Sequence, residues 1–186
     1  MGIQTKSVHK NSSDELASAY DFLLKNKSDY LFENKKLENT ILFQISVLNN
    51  LKHDLYIYQK SLDQVIYFDE KYVKTLKRFL MEGKTINIIV ENDLSTISQK
   101  TKRNLEQFYF NNNFNIRLVN SEFKKDLLNH IVIESTYFLV GDSSIFRIEN
   151  TDYKNPFAYA NCFDIKFSKN LVKVFNKHFD QCEHII

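Results

Sequence analysis

The chain has no tryptophan, one proline and three glycines in 186 residues. So few backbone breakers exclude a collagen-like or Gly/Pro-rich low-complexity architecture. With only Gly2, Gly83 and Gly141 there is no glycine-rich phosphate loop. Cys162 and Cys182 are the only cysteines, too few for a disulfide scaffold, and they read as reduced thiols. Cys182, Glu183 and His184 with His178 lack a second ligand pair at metal-site spacing, so neither a metal nor a cofactor is expected. No apolar run approaches the ~20 residues of a membrane helix, and the first six residues lack an apolar signal core. A soluble, cytoplasmic protein with no membrane partner is the expectation. An excess of one charge is also missing. Lys and Arg total 25 against 23 Asp and Glu, so bulk electrostatics demand no nucleic-acid partner.

What is present is apolar and aromatic. Hydrophobic residues make up 43% of the chain, enough for one domain with a normal core. With 16 Phe and 10 Tyr, much of that core must be aromatic. The run Asn111-Asn112-Asn113 reads as a polar loop.

Residues 1 to about 11 are polar. Ser12, Ser13 and Asp14 predict a helix start, followed by Leu16, Ala19, Tyr20, Leu23 and Leu24 at helical spacing. A second helix is expected over 37–50, with Leu37, Ile41, Ile45 and Leu48 on one stripe. Strands and helices then alternate. Strands are predicted at 54–58, 85–90, 114–119, 131–134 and 158–163, and helices at 69–83, 95–110, 121–128 and 168–179. Around Gly141-Asp142 the pattern is strand, tight turn, strand. Strand–helix–strand repetition implies parallel strands joined by crossover helices. The predicted fold is α/β, a mixed, mostly parallel sheet with helices on both faces, plus an N-terminal helical extension. The division expected is an extension over 1–36 and an α/β domain over 37–186.

The segment from Leu37 to Asp180 resembles the phospholipase D-like superfamily. The likeness lies in the strand Leu55-Tyr56-Ile57-Tyr58 with its Leu62-Asp63 turn, the Phe/Tyr-rich helix after it, and the Ile-Ile-Val strand. It continues through the Val140-Gly141-Asp142 hairpin with Phe146-Arg147-Ile148-Glu149, the stretch Ala158 to Phe163, and the closing Phe179-Asp180. Active members of that superfamily carry His-x-Lys-x4-Asp, in which His attacks phosphorus, Lys binds phosphate oxygens and Asp supports the site. Such catalysis needs a nucleophile of suitable proton affinity and a cation for the phosphoryl oxygens. Anchoring the frame at Asp142 places Ser135 at the His position and Tyr137 at the Lys position. The following Gly-Ser-x-Asn is replaced by Glu149-Asn150-Thr151-Asp152. Beginning the frame at His130 puts Val132 and Tyr137 where Lys and Asp belong, and Lys52-His53-Asp54 is followed by Leu55 in place of lysine. The resemblance therefore implies a degenerate bacterial member without a catalytic residue set.

The candidate remnant pocket comprises Ser135, Tyr137, Asp142, Arg147, Glu149, His130 and His53. Arg147 and Glu149 share one face of a strand by its period of two, as an inherited anion or partner site or as a structural ion pair. His53 and His130 are read as capping or solvent-facing residues beside that role. Ser143 and Ser144 sit in the turn with nothing marking a triad. Basic residues cluster on two helices: Lys71, Lys74, Lys77 and Arg78 with Lys84, then Lys100, Lys102 and Arg103. They form solvated faces or contact a nucleic-acid backbone, with Tyr72 and Phe108-Tyr109-Phe110 interleaved.

On this basis the chain is expected to be a non-catalytic phospholipase D-like binding or regulatory module. Its partner is another protein or a nucleic acid. Stand-alone degenerate domains of this kind resemble accessory components of bacterial mobile-element or defence systems. Two alternatives stand beside it. One is a divergent phosphodiesterase or nuclease using His53 or His130 with Asp142 and Arg147. The other is a structural homodimer, because single-motif members of the superfamily resemble half-enzymes that pair.

Overall fold

Helix α1 spans Val8–Lys25 and α2 spans Leu37–Asn50; between them Phe32–Glu33 forms the short strand β1. This is a computed structural model, and it describes residues 8–34, 36–62, 65–92, 95, 97–130, 136–150 and 157–185. Strand β2 (Leu55–Gln59) is followed by a 3-10 turn over Val65–Phe68, helix α3 (Glu70–Met81) and strand β3 (Ile86–Val90). Helix α4 (Gln99–Glu106), strand β4 (Phe114–Leu118) and helix α5 (Ser121–His130) come next. The hairpin β5 (Thr136–Gly141) and β6 (Ile145–Asn150), strand β7 (Ala158–Asn161), helix α6 (Ile165–Phe179) and strand β8 (Glu183–His184) complete the chain.

Local chemistry explains these boundaries. The Asp69 carboxylate accepts the Tyr72 N–H at 2.7 Å and starts α3. Its buried residues Tyr72, Leu76, Phe79 and Leu80 fall on one helical stripe. Gly83, at φ 78°, supplies the left-handed residue that ends the helix. Asp164 likewise caps α6 by accepting the Phe167 N–H at 2.9 Å, so that helix begins at Ile165, earlier than the sequence pattern places it. Helix α4 is shorter than the expected 95–110, because the Ser98 hydroxyl takes the Thr101 N–H and fixes a later start. The first helix begins at Val8, ahead of the Ser12 cap. The strand expected at 131–134 lies outside the described residues.

All eight strands join one sheet in the order β1-β7-β6-β5-β2-β3-β4-β8. The mixed α/β architecture is as the sequence predicts, with one correction to its parallel character. Only β2–β3 and β3–β4 are parallel; β5, β6, β7 and β1 form an antiparallel meander attached to β2, and β8 closes the far edge antiparallel to β4. The hairpin lowers the parallel share, because its strands return without crossover helices.

Each face of the sheet has its own core. Leu55, Ile57, Ile86, Ile88, Val90, Phe114 and Ile116 face the layer containing α1–α4. Tyr58, Ile89, Phe138, Val140 and Phe146 pack with Phe123 and Leu127 of α5 and Leu171 and Phe175 of α6. The aromatic surplus in the sequence is spent here, largely on edge-to-face contacts such as Tyr58–Phe123 and Tyr56–Phe175. No helix among the described residues is long and apolar enough to cross a membrane. Both cysteines are free and buried.

Candidate functional site

The hairpin divides the predicted site residues between its two ends. At the closed end, Gly141-Asp142-Ser143-Ser144 makes a tight turn in which Ser144 N–H donates to the Gly141 carbonyl at 3.0 Å. Asp142 and Ser143 both hold positive φ, 47° and 53°, as the turn favoured by twisted hairpins requires. Gly141 is required for space, since a Cβ there would lie 2.5 Å from Leu51 Cδ2. The Asp142 carboxylate accepts the backbone N–H groups of Lys52 at 2.8 Å and His53 at 2.9 Å. Asp142 thus ties the hairpin to the loop entering β2. His53 joins it through its backbone, with its side chain exposed.

At the open end stand Tyr137, Arg147 and Glu149. Tyr137 and Glu149 are paired across the strands, five residues from Asp142 along β5, or ~17 Å in extended chain. The two ends are therefore separate places. Arg147 is 5% exposed. Its Nε donates to Asn34 Oδ1 at 3.0 Å, and its NH2 to the Asn34 carbonyl at 3.3 Å, Thr40 Oγ1 at 3.1 Å and Glu149 Oε2 at 2.7 Å. Asn34 in turn donates to the Tyr20 hydroxyl at 3.1 Å, and burial lifts that phenol above its ordinary pKa. Arg147 and Glu149 thus form an ion pair, and the Nε and one terminal nitrogen of the guanidinium are held by protein acceptors.

The open end of the hairpin lies beside the carboxyl ends of β2 and β3, since Tyr58 of β2 pairs with Phe138 of β5. In open α/β sheets this edge is where ligand crevices form. Here it is filled. The Tyr137 side chain is 4% exposed and its ring centroid is 5.4 Å from that of Tyr58, which meets Phe123 at 4.9 Å. The Tyr58 hydroxyl donates to Glu91 Oε1 at 2.5 Å, and Lys124 Nζ reaches the same oxygen at 3.2 Å. Burial first, then the Glu91 carboxylate, holds the Tyr58 phenol well above its ordinary pKa, so it stays a protonated donor. Asn150 Oδ1 accepts the Phe157 N–H at 2.8 Å and is likewise engaged. Ser135 lies outside the described residues, and His130, the last residue of α5, is placed there by its backbone alone.

Sequence reasoning missed Tyr58, Glu91 and Lys124 at this edge, and Asn34 and Thr40 beneath Arg147. Glu91 follows directly on the apolar strand β3, and the carboxyl-end rule for parallel strands points to that position. Asn34 carries no comparable signal.

The helices that carry the two basic clusters share a groove. Lys74 and Lys77 of α3, with Phe68, Val73 and Glu70, line a groove of about 310 Å³ whose other wall is Asn104 and Gln107 of α4. Lys100 and Arg103 fall on the same side of α4 by helical spacing, and Lys100 Nζ sits 4.7 Å from the centre of the Phe68 ring. Lys102 lies off that side, half-buried. Lys71 lines a neighbouring groove with Leu37 and Ile41 of α2. Arg78 is engaged by Asn49 and, at 3.8 Å, by Glu82, and Lys84 by Glu82 at 2.7 Å. The interleaved aromatics separate by role: Tyr72 and Phe108 are buried, whereas Phe110 is exposed.

No family model matches the chain, and no curated protein matches its sequence. Solved structures do match its fold. TrmBL2, an archaeal chromatin protein whose structure shows a novel mode of DNA binding, superposes with TM-score 0.60 at 12% identity, over 95% of this chain and 63% of that one. NucT from Helicobacter pylori gives TM-score 0.58 at 11% identity, over 84% of this chain and 98% of that one. Nuc, a phospholipase D family member from Salmonella typhimurium, gives 0.54 at 12% identity, over 84% and 96%. The chain thus spans under two thirds of the archaeal protein and nearly the whole of the two bacterial ones. It has the phospholipase D-like fold.

Proposed function

We propose that this chain is a non-catalytic phospholipase D-like module that binds nucleic acid through the groove between α3 and α4. The observation that carries the non-catalytic part is the packing of Tyr137, in the position of the superfamily's lysine, against Tyr58 at the carboxyl edge of the sheet. A buried phenol offers no cation to phosphoryl oxygens. Lys124, an ammonium at that edge, is held on Glu91. The binding part rests on Lys74 and Lys77 of α3, which line the groove with Phe68, and on Lys100 of α4, whose ammonium lies over that Phe68 ring. Lysines tracking a backbone beside an aromatic surface are the ordinary means of holding a single strand. Among proteins of the same fold, TrmBL2 binds DNA. A role as an accessory component of a bacterial mobile-element or defence system extends this proposal by fold-level analogy.

Fluorescence anisotropy with labelled single-stranded DNA over a salt series tests it. Affinity should fall with salt, and replacing Lys74, Lys77 and Lys100 with Gln should reduce the log–log slope by about 2, at ~0.7 per lost contact. An unchanged slope counts against the groove. Cleavage of the same DNA that tracks the protein through purification and is lost in Glu149→Gln would overturn the non-catalytic part.

A further inference from the structure

A hollow of about 390 Å³ opens at the closed end of the hairpin, the opposite end of the sheet from Tyr58 and Glu91. Lys25 and Lys27, at and just beyond the end of α1, and Lys52, in the loop before β2, line it. Its apolar wall is Leu24, Ile145 and Phe163. Asp142 is the one acidic residue in that lining, and both its oxygens already hold backbone N–H groups. None of the three lysines makes an ion pair among the described residues. The lining therefore carries two positive charges in excess of its negative one, in a concave setting that concentrates the field.

Two further details point to these side chains as recognition groups. Three of the carbonyls in the last turn of α1 are already taken, Phe22 by Asn26 N–H and the Asn26 amide, Leu24 by Lys27 N–H and Leu23 by Ser28 N–H. The lysines are thus not needed to quench that helix end. Lys27 itself holds φ 50°, a left-handed position that helix ends usually give to glycine or asparagine. With lysine there, the ammonium lies 5.5 Å from the centre of the Phe163 ring, at the mouth of the hollow.

We propose that this hollow binds a small organic phosphomonoester, its phosphate among Lys25, Lys27 and Lys52 and a flat apolar group against Phe163. The volume falls in the range of small-molecule sites, ~300–1,000 Å³. A phosphomonoester carries about −1.5 to −2 at neutral pH, which matches the excess charge. The site is independent of the groove between α3 and α4.

Isothermal titration of the full chain with phenyl phosphate and with inorganic phosphate tests this. Phenyl phosphate should bind at least about fivefold more tightly than inorganic phosphate, since ring burial adds to the charge contacts. Lys27→Gly suits the left-handed backbone and should keep the melting temperature while weakening phenyl phosphate about fivefold; Lys25→Gln with Lys52→Gln should weaken it about tenfold or more. Lys74→Gln with Lys77→Gln should leave it unchanged, which separates this site from the nucleic-acid groove. Absence of binding, equal affinity for the two probes, or affinity unaltered in both hollow variants would each overturn the proposal.

Discussion

Arg147 places a charge inside the core. Its partners Asn34 and Thr40 lie 113 and 107 residues away in sequence, so the strand pattern announced the residue but not its role. Local periodicity places a side chain on a face; it does not say what lies beneath that face. A buried guanidinium tolerates the loss of its charge better than the loss of its acceptors. Arg147→Met should cost about 1–3 kcal/mol, the range for stranding neutral polar groups. Asn34→Leu, which leaves the cation buried without the Oδ1 acceptor of its Nε, should cost more, about 3–5 kcal/mol. Urea unfolding of the two variants checks the order. The opposite order would mean that the ion pair with Glu149 alone carries the arginine.

At the scale of elements, α5 and α6 are joined by a charged clasp in an otherwise aromatic layer. The Asp126 carboxylate accepts from Lys177 and, at 2.7 Å, meets Nε2 of the buried His178. Those hydrogen bonds, from Lys177 first and His178 second, pull the Asp126 pKa down to about 2 from an ordinary 3.8. A carboxyl depressed in the folded state contributes its stability above the ordinary value and loses it as pH falls through the folded one. The melting temperature of Asp126→Asn should therefore lie below that of the parent at neutral pH. The gap should close between pH 3.8 and about 2. A gap that persists at the acid end would assign the effect to shape instead of charge. Elements differed in how readable they were. Helix α2 has the expected bounds, Leu37–Asn50, although Leu37 of its predicted stripe is exposed and Phe43 and Val47 are buried beside Ile45 and Leu48, and β3 follows its nearly continuous apolar run. Strands β1 and β8, of two residues each, are too short to show a period, and their pairing partners supply what their own sequence lacks.

For the whole molecule, the question is how the first 36 residues relate to the rest. They were expected to form an extension to a domain over 37–186. Their described part carries α1, which contributes Tyr20 and Leu24 to the larger core, and β1, which forms the sheet edge beside β7. Asn161 also donates to the Asp29 carbonyl at 2.7 Å. A chain starting at residue 37 leaves Arg147 without Asn34 and bares the β7 edge, so it should lose its cooperative thermal transition. Circular dichroism on the shortened protein measures this; a sharp melt near that of the full chain would establish 37–186 as a self-sufficient unit. The architecture was legible because alternating elements and apolar strands are local signals. The aromatic infill at the carboxyl edge was not, because Tyr58, Tyr137 and Phe123 come from three distant segments.

The strand order also sets a timetable. Strand β2 takes β3 on one side soon after it is made, but its other side waits for β5, at the register Tyr58 with Phe138. At ~5–20 residues per second, a ribosome needs about 4–16 s to supply the roughly 80 intervening residues. Through that interval the apolar strand Leu55–Gln59 presents an unpaired hydrogen-bonding edge, the kind that recruits stray strands. The hairpin β5–β6 is thus the piece whose late arrival ends the nascent chain's exposure to aggregation.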